Sequence, residues 1–152
     1  MKKFLALTLL LTLLCCTVFC FPASATETTK VTVEKLDNGD YIETIITYYE
    51  TDDRAATRSG SKTNNYKNGD GEIMWSVTVN GTFTYNGTTS SCTSVSRSTS
   101  APGANWTIKS SSCSKSGNCA TATATATYRY LLFSDDYSMT INLYCSPYGI
   151  LS

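Results

Sequence analysis

Any chemistry in this chain must come from carboxylates or thiols, because its 152 residues include no histidine. Without an imidazole, neither a Ser-His-Asp triad nor a Cys-His pair can be assembled. Two adjacent acid pairs, Asp52-Asp53 and Asp135-Asp136, carry the side chains that glycoside hydrolysis uses. Both fall in segments that read as turn or linker, where solvated acidic residues are ordinary. Asn68-Gly69-Asp70-Gly71-Glu72 has the composition of a calcium loop. An EF-hand alignment, however, puts Tyr66 at its first position and Val77 at its last, and neither can supply the required carboxylate. Zinc would want paired Cys-x-x-Cys ligands or histidines, and the chain has neither. The expectation is a protein that is not an enzyme and holds no cofactor and no metal.

The cysteines point instead to export. Lys2 and Lys3 precede an apolar run from Phe4 to Phe21, and Ala23-Ser24-Ala25 has the small-x-small form of a signal-peptidase site. A membrane anchor is the alternative reading of the apolar run. The cleavage site favours a bacterial signal peptide over 1–25, which removes Cys15, Cys16 and Cys20. No small residue stands just before these three, so a lipoprotein anchor is disfavoured. About 127 residues then remain from Thr26 onward, enough for one domain with a core. Losing Lys2 and Lys3 leaves a formal charge of about −2, which argues against nucleic acid or an anionic membrane as partner. No later apolar stretch is long enough to span a bilayer, so no membrane contact is expected after cleavage, and the location is secreted, extracellular.

Alternation with a period of two sets the elements that follow. Residues 119–130 read CATATATATYRY, which places every Ala on one face of a strand and every Thr on the other. Asn38-Gly39 between two β-rich runs predicts a hairpin over 26–50. Residues 51–71 are polar and aperiodic and read as a linker or long loop, open to proteolysis at Arg54 and Arg58. A long strand runs from Glu72 to Tyr85, with Trp75, Val77, Val79, Phe83 and Tyr85 on one face. A two-residue turn at Asn86-Gly87 would set Cys92 opposite Gly81, pointing inward. A three-residue loop at Lys115-Ser116-Gly117 would set Cys113 directly opposite Cys119, both pointing outward. It would also oppose Trp106 with Ala126 and Ile108 with Ala124. A last turn at Asp135-Asp136 would pair Leu132 with Met139, Tyr130 with Ile141, and Tyr128 with Leu143. Three Asn-x-Thr sequons, at Asn80, Asn86 and Asn105, read as turn and strand-end residues in so Thr-rich a chain.

Four cysteines in an exported chain imply two disulfides. The faces above sort them into Cys92–Cys145, inward, and Cys113–Cys119, outward, since a bridge resists side chains on opposite faces. The longer bridge closes a loop of about 54 residues and is worth roughly 4 kcal/mol on the chain-entropy model. The fold class is all-β: an antiparallel β-sandwich, immunoglobulin-like in architecture, with about seven strands and two disulfides. A small β-barrel is the alternative. The chain then divides into a signal peptide (1–25), an N-terminal hairpin (26–50), a polar linker or loop (51–71) and a disulfide-bonded β domain (72–152).

The ten tyrosines are the one feature that suggests recognition. Tyr48, Tyr49, Tyr66, Tyr137, Tyr144 and Tyr148 are not required by the core pattern, and aromatic surfaces with a polar edge suit sugar stacking and protein interfaces. Tyr144 and Tyr148 are the leading candidates for a binding surface. LDNGDYIET (Leu36 to Thr44), WSVTVNGTFTYNG (Trp75 to Gly87), SKSGN (Ser114 to Asn118) and CSPYGILS (Cys145 to Ser152) resemble, in that order, a family of small secreted clostridial proteins. The resemblance brings no activity, ligand or catalytic residue with it. The chain departs from the family pattern at Cys113 and Cys119, where small or polar residues are expected. That implies a local addition there and makes Cys92–Cys145 the better candidate for a shared core bridge. The functional expectation is a secreted, non-enzymatic β module that binds a polysaccharide or a protein through surface aromatics. The alternative is a structural or cell-envelope-associated protein without a discrete ligand.

Overall fold

The computed structural model describes residues 26–50 and 56–152. The expected signal peptide (1–25), Asp52-Asp53 and Arg54 lie outside the described residues. Eight strands form: β1 (Thr26–Lys35), β2 (Tyr41–Glu50), β3 (Thr57–Lys67), β4 (Ile73–Tyr85), β5 (Ser90–Ser100), β6 (Trp106–Ser116), β7 (Cys119–Tyr130) and β8 (Phe133–Tyr144). They make two antiparallel sheets, β1-β2-β3-β4-β5 and β6-β7-β8, each a simple meander. The architecture is the expected sandwich, with connectivity simpler than an immunoglobulin Greek key. Both sheets keep free edges, so the barrel alternative does not hold. The smaller sheet packs over β3, β4 and β5, and β1 and β2 extend past it.

The core lies between β4 and β7. Trp75, Val77, Val79 and Phe83 are fully buried, and Ala120, Ala122, Ala124 and Ala126 face them. Small residues on one layer let large ones on the other approach to close-packed density. The Thr side of the same tract forms hydroxyl ladders on the outer face, Thr123 with Thr140 (2.9 Å) and Thr125 with Ser138 (2.8 Å).

Three turns share one design. Leu36 N–H donates to Asp40 C=O (2.9 Å), Asn68 N–H to Glu72 C=O (3.1 Å) and Ser146 N–H to Ile150 C=O (2.9 Å). In each, a glycine takes the left-handed conformation: Gly39 (φ 89°), Gly71 (φ 89°) and Gly149 (φ 78°). These are three-residue loops that end on the left-handed glycine such a loop favours. The 68–72 segment that resembles a calcium loop is therefore a hairpin turn. Asn68 caps it, accepting from Glu72 N–H (2.8 Å) and donating to the Glu72 carboxylate (3.2 Å).

Several sequence expectations are corrected. Residues 57–67, read as loop, form β3 in the middle of the larger sheet, joining the N-terminal hairpin to the rest. Its inward positions are mostly polar, which hid it. Lys62 sits between Ile46 and Val79, and burial pushes its pKa down. Arg58, read as a cleavage point, lies within β3 with its guanidinium over Tyr48 and Tyr85, at 5.7 and 6.0 Å from the ring centroids.

The β4–β5 loop spans 86–89, so Cys92 lies opposite Phe83, not Gly81. A shift of two keeps the face, and Cys92 is buried as expected. The β6–β7 turn has two residues, Gly117-Asn118, and Ser116 pairs with Cys119. A bulge at Lys109 shifts the ladder again, giving Trp106 opposite Tyr128 and Ile108 opposite Ala126. Between the turn and the bulge, the Ser116–Cys119 register sets Cys113 opposite Ala122 and turns it inward, whereas Cys119 points out beside Thr121 and Asn142. Cysteines on opposite faces cannot bridge, so the Cys113–Cys119 disulfide is overturned.

The β7–β8 turn is Leu131-Leu132, not Asp135-Asp136. That register sets Met139, Ile141 and Leu143 against Ala124, Ala122 and Ala120, large against small. Asp136 instead lies within β8, accepting from Thr127 (2.6 Å) and paired with Lys109, which lowers its pKa. Among the described residues Cys92, Cys113, Cys119 and Cys145 are all free in the structure.

Candidate functional site

At one end of the sandwich five strands bring five aromatic rings together. Trp106, the first residue of β6, is their hub. Its centroid lies 5.0 Å from Tyr137 on β8, 5.2 Å from Tyr128 on β7, 5.4 Å from Tyr66 on β3 and 6.4 Å from Trp75 on β4. The contacts with Tyr66, Tyr128 and Tyr137 are tilted, the geometry that ring quadrupoles favour. The loop 101–105 carries the chain over this cluster. A side chain at Gly103 would meet Met74 Cα at 2.8 Å and Trp106 Cδ1 at 2.9 Å, so glycine alone fits the crossing. Asn105 follows in the left-handed region (φ 68°), which Asn tolerates better than most residues, and its C=O accepts from Arg129 N–H (2.9 Å).

Tyr66, Trp106, Tyr128 and Tyr137 form the floor and one wall of a cleft of about 370 Å³, with Trp75 buried behind them. Trp106 and Tyr66 present only an edge, Tyr128 is half-buried and Tyr137 is 38% exposed. The opposite rim comes from the two equivalent turns, which contribute Asn38 and Asp40 from one and Asn68 and Glu72 from the other. They pack side by side, with the Gly39 carbonyl 3.5 Å from the place a Gly69 Cβ would occupy. Asp40 ties the rim to the floor by accepting a short hydrogen bond from the Tyr66 hydroxyl. Asn38 braces the pair, donating to Asp40 (2.8 Å) and to the Tyr66 oxygen (3.4 Å). Burial, and then the Asp40 hydrogen bond, push the Tyr66 pKa up to about 12.

The accessible rings of Tyr128 and Tyr137, three amides and two carboxylates thus line one open cleft, with no cation among its lining residues. Such a lining suits a neutral polyhydroxylated ligand, with ring faces for C–H surfaces and amides and acids for hydroxyls.

The residues singled out from sequence are scattered. Tyr66 and Tyr137 enter the cleft. Tyr144 and Tyr148 are exposed at the far end, where Tyr144 stands opposite Cys119, whose thiol raises the tyrosine's pKa. Tyr49 is exposed on the outer face of β2, and Tyr48 stacks on Arg58. Cys92 and Cys145 are both buried near the Gly117-Asn118 turn. Cys92 N–H donates to Gly117 C=O (2.8 Å) and Cys145 N–H to Asn118 C=O (3.0 Å). Burial pushes both thiol pKa values up. Among the described residues no cluster of Cys, Asp or Glu could hold a metal ion. Trp106 and Tyr128 were read only as core. Their place at strand ends, beside Asn105 and two Asn-Gly-containing turns, is the signal that marks them out.

No protein-family model matches this chain, and neither does any curated protein or solved structure.

Proposed function

We propose that this protein is a secreted, non-enzymatic binding module whose aromatic cleft takes a saccharide. The observation that carries the reading is the Trp106-centred cleft, which joins a half-exposed Tyr137 to a rim of Asn38, Asp40, Asn68 and Glu72. Binding without cleavage fits the state of the acids. Asp40 is held by Tyr66 and Asn38, and Glu72 by Asn68, so both are engaged in shaping the rim. Export fits the apolar leader over 1–25, and the neutral to slightly acidic charge disfavours nucleic acid. In an oxidising compartment we expect Cys92 and Cys145 to bond, since both face the core around one turn.

Retention on insoluble chitin, cellulose and peptidoglycan tests the reading. Binding to at least one of them, lost in Tyr137→Ala and kept in Tyr144→Ala, supports the cleft. The opposite pattern places the site on the Tyr144 and Tyr148 surface. Retention on none of them, with cleft variants behaving as wild type, favours a structural, envelope-associated role.

A further inference from the structure

Past the cleft the β7–β8 hairpin ends in Tyr130-Leu131-Leu132-Phe133, four consecutive apolar or aromatic residues that are 59%, 86%, 98% and 75% exposed. Folding does not ask for them. Hairpin turns favour Gly, Asn, Asp and Ser, because those residues adopt positive φ or cap the turn. Leu131 takes φ 53°, almost the φ 55° of Gly117 at the first position of the other two-residue turn. A leucine in that region is strained, and such strain clusters where a turn has a task.

We propose that this tip is a membrane-interface anchor that inserts into the headgroup region of a zwitterionic lipid bilayer. The shape favours lipid. The apolar residues sit on a convex point, which a fluid surface accepts without a matching socket. The charges flanking the tip are balanced, with Lys109 and Arg129 against Asp135 and Asp136, which suits a neutral surface better than an anionic one. The order of residues suits it too, because Tyr130 and Phe133 flank the two leucines as aromatics do at a bilayer interface. At about 3.3 Å per residue, the turn and its flanking pair reach roughly 5–7 Å before Arg129 and Ser134 stop them. That is the depth of interfacial burial, about 5–10 Å. A two-residue turn leaves main-chain groups that must stay hydrated, so the tip lies in the interface and does not span. A second copy is a poorer occupant, because four residues cannot supply the roughly 1,200–2,000 Å² of a stable protein interface. This departs from the sequence expectation of no membrane contact, which rested on net charge and on spanning segments. The cleft opens at the same end, so an anchored molecule presents it toward the membrane surface.

The test is co-sedimentation of the exported protein with phosphatidylcholine vesicles that carry no sugar, so the outcome is independent of the cleft's ligand. Wild type is expected to partition into the pellet. Leu131→Gly/Leu132→Asn, which installs the Gly-Asn pair of the other turn, is expected to bind at least tenfold more weakly while melting no lower. Leu132→Ser alone, at a position with ordinary φ, is a second variant that keeps the test valid if the double variant misfolds. In Phe133→Trp, the new indole is expected to shift to the blue on binding and to be quenched by brominated acyl chains. Equal binding by wild type and tip variants overturns the proposal. So does binding only to anionic phosphatidylglycerol vesicles, or a lipid-free dimer that the tip variants abolish.

Discussion

The Tyr66 hydroxyl donates a short hydrogen bond to the Asp40 carboxylate, fastening the β1–β2 turn to the buried floor of the aromatic cleft. Because Tyr66 is buried and its pKa is raised from 10.0 to about 12, stability has a predictable dependence on alkaline pH. The folded state holds the proton more tightly than the unfolded chain. The stabilisation is therefore fully present below pH 10 and is lost as pH rises from 10 toward 12. A shift of this size corresponds to about 2–3 kcal/mol. Denaturant melts between pH 8 and pH 12 should show that loss. Tyr66→Phe should flatten the profile across the same window while costing about 1 kcal/mol at neutral pH.

Oxidation of two buried cysteines beside one turn predicts a specific peptide map. Non-reducing digestion of the protein purified under oxidising conditions should yield a Cys92–Cys145 cross-link and no Cys113–Cys119 cross-link. Cys119→Ser, on the outer face, should leave stability within about 0.5 kcal/mol of wild type. Losing the Cys92–Cys145 bond should cost up to about 4 kcal/mol. Recovery of a Cys113–Cys119 peptide would mean that the Gly117-Asn118 turn, and with it the β6–β7 register, has slipped.

Gly81 leaves room on the inner face of β4 for the Phe83 ring and for Ala120 of the other layer. A Cβ there would lie 2.6 Å from Phe83 Cε2 and 3.1 Å from Ala120 Cβ. Gly81→Ala is expected to destabilise by about 1–3 kcal/mol through overpacking, measured by chemical denaturation. Ser96→Ala, on the exposed outer face, should change stability by less than about 0.5 kcal/mol.

Some of this was legible in the residues and some was not, for physical reasons. The Ala-Thr tract and the Trp75, Val77, Val79, Phe83 alternation carry their own faces, and those faces survived every change of register. β3 did not announce itself, because Arg58, Lys62 and Asn64 occupy its inward positions. It is held instead by side-chain bonds to its neighbours, such as Thr44 to Asn64 (2.9 Å) and Thr63 to Thr78 (2.8 Å). The β7–β8 turn was misplaced because its residues invert turn chemistry: Leu131-Leu132 makes the turn and Asp135-Asp136 joins the strand. The two-residue Gly117-Asn118 turn puts Cys113 opposite Ala122 and so reverses its face, while the bulge at Lys109 lets Trp106 and Ile108 stay inward. The cleft was beyond reach because Trp106, Tyr66, Tyr128 and Tyr137 meet only when four strand ends are stacked.

Saccharide recognition by that cleft, as proposed, is tested most directly by isothermal titration of the purified protein with soluble chitin, cellulose and peptidoglycan oligosaccharides. The expected result is saturable binding of at least one of them, weakened tenfold or more (about 1.4 kcal/mol) by Tyr137→Ala and unchanged by Tyr144→Ala. Binding that survives Tyr137→Ala and disappears in Tyr144→Ala would contradict it, as would the absence of binding to every oligosaccharide by the folded wild type.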